Sequence, residues 1–205
     1  MTMTVPTMLT LLRIALVPFL IFFFYLPYYW SSLACTVIFV LAAVTDIADG
    51  YVARKTKQMS RFGEFLDPVA DKIMVATALI LLVQRQENYQ VVFAISAAII
   101  VGRELTISAL REWMSEIGEQ ALVKVSGVGK LKTIFQMTAI GFLLYHDNMW
   151  WIPIALIGEL LLYTAAALTL WSMWTYLHSA WPVISDPKFH VHYEHEAEQS
   201  EDDAI

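Results

Sequence analysis

The sequence predicts an all-α, polytopic membrane protein with six transmembrane helices. Of its 205 residues, 58% are hydrophobic and only 16% are charged, and the apolar residues form long blocks. A soluble domain carries about 25% charged residues, so this chain lacks the polar surface that water requires. Several blocks reach the roughly 20 residues with which a helix crosses a bilayer. The composition therefore excludes a soluble globule, a disordered chain and a nucleic-acid-binding protein.

The predicted helices follow these apolar blocks, and aromatic, turn-forming or charged residues separate one block from the next. The predicted spans are residues 7–29, 32–53, 65–83, 91–113, 128–145 and 150–177. We assign residues 1–182 to one membrane domain. The acidic segment 183–205 has no aliphatic run and is predicted to be a disordered cytoplasmic tail.

The distribution of basic residues predicts the orientation of the helices. Of the 13 Lys and Arg residues, only Arg85 falls in a connection on one side of the predicted membrane. The others belong to the opposite side, and Lys and Arg accumulate on the cytoplasmic side of membrane proteins. Both termini are therefore predicted to be cytoplasmic.

Four carboxylates lie at the predicted cytoplasmic end of the second and third helices. Asp46 and Asp49 are three residues apart, and Asp67 and Asp71 are four apart, so each pair occupies one helix face. An Asp within a membrane helix costs about 2.5–3.5 kcal/mol, and neighbouring carboxylates also repel each other. Oxygen donors with no Cys or His nearby suit Mg²⁺, Mn²⁺ or Ca²⁺. The pattern therefore predicts a divalent-metal site.

The acidic pairs belong to a longer pattern, D-x₂-D-G-x₂-A-R-x₈-G-x₃-D-x₃-D, over residues 46–71. This pattern resembles the signature of the CDP-alcohol phosphatidyltransferase family, whose six-helix layout is also similar. Four further stretches resemble bacterial members that use sn-glycerol 3-phosphate: PTMLTLLR at 6–13, GREL at 102–105, SALREW at 108–113 and GKLKT at 129–133. The resemblance implies transfer of the phosphatidyl group of CDP-diacylglycerol to sn-glycerol 3-phosphate, with release of CMP, in phospholipid biosynthesis.

The same resemblance implies roles for individual residues. Asp46, Asp49 and Asp67 match ligands of one or two divalent ions, Mg²⁺ or Mn²⁺, and Asp71 matches a residue that is both ligand and general base. The positions expected to hold the CDP-lipid are Thr10, Arg13, Gly50, Ala53, Arg54, Ser60 and Gly63. The resemblance also implies a homodimer among the lipids of the bacterial inner (cytoplasmic) membrane, with its active site at the cytoplasmic face.

A second, basic cluster lies near the predicted cytoplasmic ends of the fourth and fifth helices. It consists of Arg103, Arg111, Lys130 and Lys132. Arg103 and Arg111 are eight residues apart and therefore lie on nearly the same helix face. We expect these residues to bind the phosphate of the acceptor beside the metal site. The alternative is that they are ordinary cytoplasmic-side cations that reach lipid headgroups.

Other interpretations stay open at this point. The Asp residues would serve stability alone if they paired with Arg54, Lys55 and Lys72. A divalent-cation transporter also places acids within the membrane, although the outer halves of the second and third helices offer few polar residues for an ion path. An intramembrane prenyltransferase is Asp-rich and Mg²⁺-dependent, but its acidic motifs lie farther apart in sequence. Within the family, inositol phosphate, serine or phosphatidylglycerol are alternative acceptors.

Overall fold

The computed structural model describes residues 5–56, 61–87, 89–116, 127–147 and 151–184, which form an all-helical fold, as predicted. Its six helices are α1 Val5–Phe24, α2 Ser31–Thr56, α3 Arg61–Arg85, α4 Gln90–Glu116, α5 Gly127–Tyr145 and α6 Ile154–Ile184.

Four helices in the described part of the chain are long and apolar enough to cross a membrane. Their apolar stretches are Thr7–Phe24, Ser31–Ala48, Gln90–Met114 and Ile154–His178. Helix α3 carries Asp67, Asp71 and Lys72 in its first half, and the apolar part of α5, Leu131–Tyr145, is shorter than a full span. The multi-pass character is therefore supported, whereas six spans and two cytoplasmic termini remain predictions.

Several helix boundaries differ from those predicted. Helix α1 ends at Phe24 rather than at residue 29, because Pro27 disfavours helical geometry at the residue before it. The basic connector is shorter than expected, since α2 continues to Thr56 and α3 begins at Arg61. Helix α6 extends to Ile184, two residues beyond the predicted end of the membrane domain at residue 182. Residues 185–205 lie outside the described residues.

The helices pack around one apolar core. Helix α1 contacts α2 and α3, α5 contacts α2, α3 and α6, and α4 contacts α3 and α6. Every helix contributes to this core, with Leu20, Phe39, Leu79, Phe93, Ile140 and Leu162 at its centre. Large apolar side chains such as Phe22, Ile80 and Trp171 remain exposed on the outside. Helices that are apolar on both the inner and the outer face are typical of membrane spans.

Polar contacts fix the end of the bundle that lies opposite the acidic cluster. The Arg85 guanidinium, at the end of α3, donates a hydrogen bond to the carbonyl of Leu143 near the end of α5. Gln86 Nε2 donates to Oε1 of Glu159 on α6 at 2.7 Å. Arg85 thereby satisfies one of the carbonyls that the end of α5 leaves unpaired. These bonds hold α3 against α5 and α6 and so restrain its acidic start.

We expect Gly158→Val to destabilise the pairing of α5 with α6. A Cβ atom at Gly158 would lie 2.9 Å from Cγ of Leu143 and 3.2 Å from Cβ of Phe142, so a larger side chain forces the helices apart. Overpacking of this kind costs about 1–3 kcal/mol, which a lower midpoint of thermal unfolding in detergent would report. Gly141→Val is the control, because nothing lies within 4 Å of a Cβ there. Equal midpoints for wild type and Gly158→Val would contradict the close packing.

Candidate active site

Arg13 of α1 joins the acidic ends of α2 and α3. Its Nη1 lies 2.8 Å from Oδ1 of Asp46 and 3.5 Å from Oδ1 of Asp67. The Arg13 side chain is only 1% exposed, whereas both carboxylates are partly open to the surroundings. One buried cation therefore brings the carboxylates of two helices together and leaves part of each accessible.

Helical spacing explains how α1 delivers Arg13 to this position. Thr7, Thr10 and Arg13 follow one another at intervals of three residues, and all three side chains are buried. Residues with this spacing share one face of a helix, and here that face packs against α2 and α3. Thr10 and Arg13, both predicted to approach the CDP-lipid, thus lie on the buried face of α1 from which Arg13 contacts the carboxylates.

Asp71 lies one helical turn beyond Asp67 and belongs to the same acidic cluster. It interacts electrostatically with Asp46, Asp67, Arg13 and Glu104, a residue of α4. Arg13 thus brings Asp46 and Asp67 together, and Asp71 interacts electrostatically with both. The side chain of Asp49, the fourth predicted metal ligand, lies outside the described residues.

The remaining positions predicted to hold the CDP-lipid are less completely described. Gly63 lies in the first turn of α3 and is partly exposed. Gly50, Ala53 and Arg54 belong to α2, but their side-chain positions are outside the described part of the structure, as is all of Ser60.

The acidic cluster has the chemistry of a divalent-metal site. Asp46 and Asp67 converge on a single cation, the guanidinium of Arg13, so their geometry suits a shared positive charge. Carboxylate oxygens are the donors that Mg²⁺ and Mn²⁺ prefer. Within the described ranges, which exclude the Asp49 side chain, no group of three His, Cys, Asp or Glu residues is close enough to hold an ion. The chemistry of these two carboxylates fits such an ion, and Asp49 and Asp71 as its further ligands stay predictions from the sequence.

Lys72 makes no ion pair with Asp46, Asp67 or Asp71, the members of this cluster whose side chains are described. Its Nζ donates a 2.6 Å hydrogen bond to Oγ of Ser108 on α4. The side chains of Arg54 and Lys55 lie outside the described residues. Among the described side chains, the cation that contacts Asp46 and Asp67 is therefore Arg13 rather than Lys72.

A cavity of about 450 Å³ opens beside Asp71, among α3, α4, α5 and α6. Most of its charged lining residues are basic. The charged lining residues are Asp71, Lys72, Arg103, Glu104, Arg111 and Lys132. Three of the four residues of the predicted basic cluster thus surround one cavity, while the side chain of Lys130 lies outside the described part of α5.

The cations of this cavity are held by specific contacts. Lys132 is 2% exposed, and its Nζ lies 3.6 Å from Oε1 of Glu104. Gln136 Nε2 donates to the same oxygen at 2.8 Å, so α5 positions both groups against α4. A side chain as buried as Lys132 does not extend to lipid headgroups. The headgroup alternative therefore does not account for this residue.

Arg103 is held from α6 rather than by a carboxylate. Its Nη2 donates to Oγ of Ser172 at 3.1 Å, and its Nε is buried without a hydrogen-bond partner among the described residues. A buried donor without a partner is costly unless a ligand or water satisfies it. The cavity thus presents cationic donors that suit an anionic ligand.

Sequence analysis missed the residues that support these cations. Ser108, Gln136, Ser172 and Tyr176 are uncharged or lie outside the recognised motifs. Ser172 and Tyr176 are four residues apart and so share a helix face, which was the one available signal. That this face meets α4 follows only from the packing of α6.

Comparison with known proteins adds an independent observation. A model of the CDP-alcohol phosphatidyltransferase family matches residues 3–171. The chain is also similar to bacterial proteins named CDP-diacylglycerol--glycerol-3-phosphate 3-phosphatidyltransferase. It is 47% identical to that of Yersinia pestis (strain Pestoides F) over 187 residues, which cover 91% of this chain and 100% of the relative. It is 50% identical to that of Pectobacterium atrosepticum over 180 residues, which cover 88% and 96%.

We expect Arg13→Gln to destabilise the metal-free protein and to enlarge its response to Mg²⁺. Without the guanidinium, Asp46 and Asp67 repel each other with no cation between them. Because both carboxylates are partly exposed, the loss should be smaller than the roughly 3–5 kcal/mol of a fully buried pair. The measurement is the thermal unfolding midpoint in detergent, first with EDTA and then with excess Mg²⁺.

Arg111→Gln serves as the control for this experiment, because it removes the same charge from an exposed side chain that has no ion pair with Asp46 or Asp67 in the described structure. If Mg²⁺ shifts the unfolding midpoint equally in Arg13→Gln, Arg111→Gln and wild type, Arg13 does not supply the positive charge that a metal ion would supply between Asp46 and Asp67.

Proposed function

The chain belongs to the CDP-alcohol phosphatidyltransferase family, as the spacing of its acidic residues predicted, and we propose that it works as a phosphatidylglycerophosphate synthase. The reaction transfers the phosphatidyl group of CDP-diacylglycerol to sn-glycerol 3-phosphate and gives phosphatidylglycerol phosphate and CMP. The chain is thus a transferase of phospholipid biosynthesis. Relatives that are 47–50% identical over about nine-tenths of the chain carry this activity in their names.

The observation that carries this proposal is the position of Asp71 between two sites of opposite charge. On one side lies the acidic cluster, with Asp46 and Asp67. On the other lies the basic cavity, which Asp71 itself lines. A reaction that joins a diphosphate donor to a phosphorylated acceptor needs both kinds of site, with the reacting groups held between them.

The acidic cluster is the proposed site of the diphosphate. Asp46, Asp49, Asp67 and Asp71 would hold one or two divalent ions, Mg²⁺ or Mn²⁺. When bound, such ions neutralise the diphosphate and the phosphate charge of departing CMP. The proposed CDP-lipid contacts are Thr10, Arg13, Gly50, Ala53, Arg54, Ser60 and Gly63.

An apolar groove beside Asp46 supports a lipid as the donor. It has a volume of about 500 Å³ and lies between α2 and α5, where Thr36 and Ile47 mark its two ends along α2. Ile47 directly follows Asp46 in sequence, so the groove begins next to the acidic cluster. Burial of hydrocarbon is favourable by about 0.8 kcal/mol per CH₂ group. An acyl chain of CDP-diacylglycerol in this groove would place its diphosphate at the carboxylates.

The basic cavity is the proposed site of sn-glycerol 3-phosphate. Arg103, Arg111, Lys130 and Lys132 would bind its phosphate through charge-assisted hydrogen bonds. These contacts orient one of the two free hydroxyls of the acceptor toward Asp71. The hydroxyl oxygen then bonds to the β-phosphorus, which carries the diacylglycerol, while Asp71 takes the hydroxyl proton. The bond from this phosphorus to the bridging oxygen breaks, and CMP leaves with the electron pair.

The placement in the membrane completes the proposal. Helices α3 and α5 join the four long apolar helices as spans, and both termini lie in the cytoplasm, on the side of the basic residues. The protein is a homodimer of the bacterial inner membrane, with the active site at the cytoplasmic face, as the family resemblance implies. Residues 1–182 form the membrane domain, and the acidic segment 183–205 forms a cytoplasmic tail.

The acceptor and the metal requirement are tested together by measuring CMP release from CDP-diacylglycerol. Purified protein should release CMP with sn-glycerol 3-phosphate and not with inositol phosphate, serine or phosphatidylglycerol. Excess EDTA should abolish the reaction, and Mg²⁺ or Mn²⁺ should restore it. Asp46→Asn should remove turnover, whereas Asp147→Asn, in the connection after α5, should not. CMP release with another acceptor alone would overturn the assignment, and full activity in EDTA would overturn the metal site.

Asp71→Asn separates the base from the other carboxylates. The amide cannot accept the hydroxyl proton, so turnover should fall by about 10²–10⁴-fold, as is typical for removal of a positioned base. Binding of CDP-diacylglycerol, measured by equilibrium titration with the lipid, should change much less. An equal loss of binding and turnover would make Asp71 a ligand only.

A further inference from the structure

The aromatic ring of Tyr176 lies beneath two arginines of the basic cavity. The Cζ atoms of Arg103 and Arg111 lie 5.5 and 5.8 Å from its ring centroid. Both arginines belong to α4, whereas Tyr176 comes from α6. Tyr176 is buried and lines the cavity together with both arginines. One ring therefore contacts the two guanidiniums that line the same space.

This arrangement counteracts the repulsion between two neighbouring cations. The face of an aromatic ring attracts a guanidinium electrostatically, and the attraction strengthens as water is excluded. Oγ of Ser172, one turn before Tyr176, accepts a hydrogen bond from Arg103. Helix α6 thus supports Arg111 through the ring of Tyr176, and Arg103 through both this ring and Ser172.

The ring is itself held in place. Tyr176 packs with the buried side chains of Ile107 and Met114, both on α4. An aromatic ring has only two side-chain torsions, so this packing fixes its plane at little further entropic cost. The guanidiniums therefore rest on a rigid surface rather than on a mobile side chain.

We propose that Tyr176 is a positioning residue for the acceptor. Its ring holds Arg103 and Arg111 at the separation at which both donate to one phosphate dianion. This inference rests on the proposed function, in which the cavity binds sn-glycerol 3-phosphate. Tyr176 lies beyond residues 3–171, which the family model matches, so the family pattern does not assign it a role.

The inference predicts an effect on one substrate only. Tyr176→Leu removes the aromatic face, and the KM for sn-glycerol 3-phosphate should rise about ten-fold, the size expected for two weakened cation–π contacts. The kcat and the KM for CDP-diacylglycerol should stay close to wild type. Tyr176→Phe retains the ring and should restore most of the acceptor affinity. The control is Trp174→Leu, which removes a 72% exposed aromatic side chain of the same helix.

Inorganic phosphate gives a second readout, because it tests the phosphate site without the glycerol part of the acceptor. It should compete with sn-glycerol 3-phosphate, and its inhibition constant should rise in Tyr176→Leu by the same factor as the acceptor KM. Ser172→Ala is a smaller change that removes a different contact of Arg103, and it should raise both constants in the same direction. A residue that only supported folding would instead lower kcat or the yield of folded protein.

The outcomes separate this inference from the proposed function. Wild-type protein that does not use sn-glycerol 3-phosphate would refute the function itself. Wild-type protein that uses it, with unchanged acceptor KM and phosphate inhibition in Tyr176→Leu, would overturn the role of Tyr176 alone. If Tyr176→Leu does not fold, unchanged constants in Ser172→Ala overturn the proposal that α6 positions the arginines.

Discussion

The acidic ends of α2 and α3 repel each other, and the rest of the site depends on how this repulsion is offset. The buried guanidinium of Arg13 offsets it. Arg13 reaches both Asp46 and Asp67, so α1, α2 and α3 converge around a single positive charge. A carboxylate within a membrane helix is tolerated when it faces the interior of the bundle and has a partner. With the acidic ends of α2 and α3 held together, Asp71 lies one turn beyond Asp67 on α3, where it lines the basic cavity.

In the neighbouring basic cavity the repulsion is between cations, and these also need stabilising contacts. Glu104 pairs with Lys132, while Ser172 and the ring of Tyr176 support Arg103 without neutralising it. Neutral contacts of this kind leave the positive charge available to a ligand, whereas a carboxylate partner would neutralise it. The two sites thus differ in how they are stabilised, and the difference matches what each is proposed to bind.

Contacts at the opposite end of the bundle also help to orient α3, which carries Asp67 and Asp71. The bonds of Arg85 and Gln86 anchor the end of α3 against α5 and α6. Helix α3 carries acidic residues at its start and basic and amide residues at its end, so both of its ends make polar contacts across the bundle. Its orientation is consequently fixed on both sides of the apolar core.

By itself, the sequence determined the helical class, the family and the placement of Asp67 and Asp71 on one helix face, because apolar blocks and three- and four-residue spacings are local properties of a helix. It also placed Arg103 and Arg111 on one face, for the same reason. Only the tertiary structure decided that Arg13 is the partner of the carboxylates and that Tyr176 lies under the arginines. Those contacts join helices that are distant in the chain. Their geometry depends on the rotation of each helix about its own axis within the bundle. Apolar periodicity does not specify that rotation when a helix is apolar on all sides.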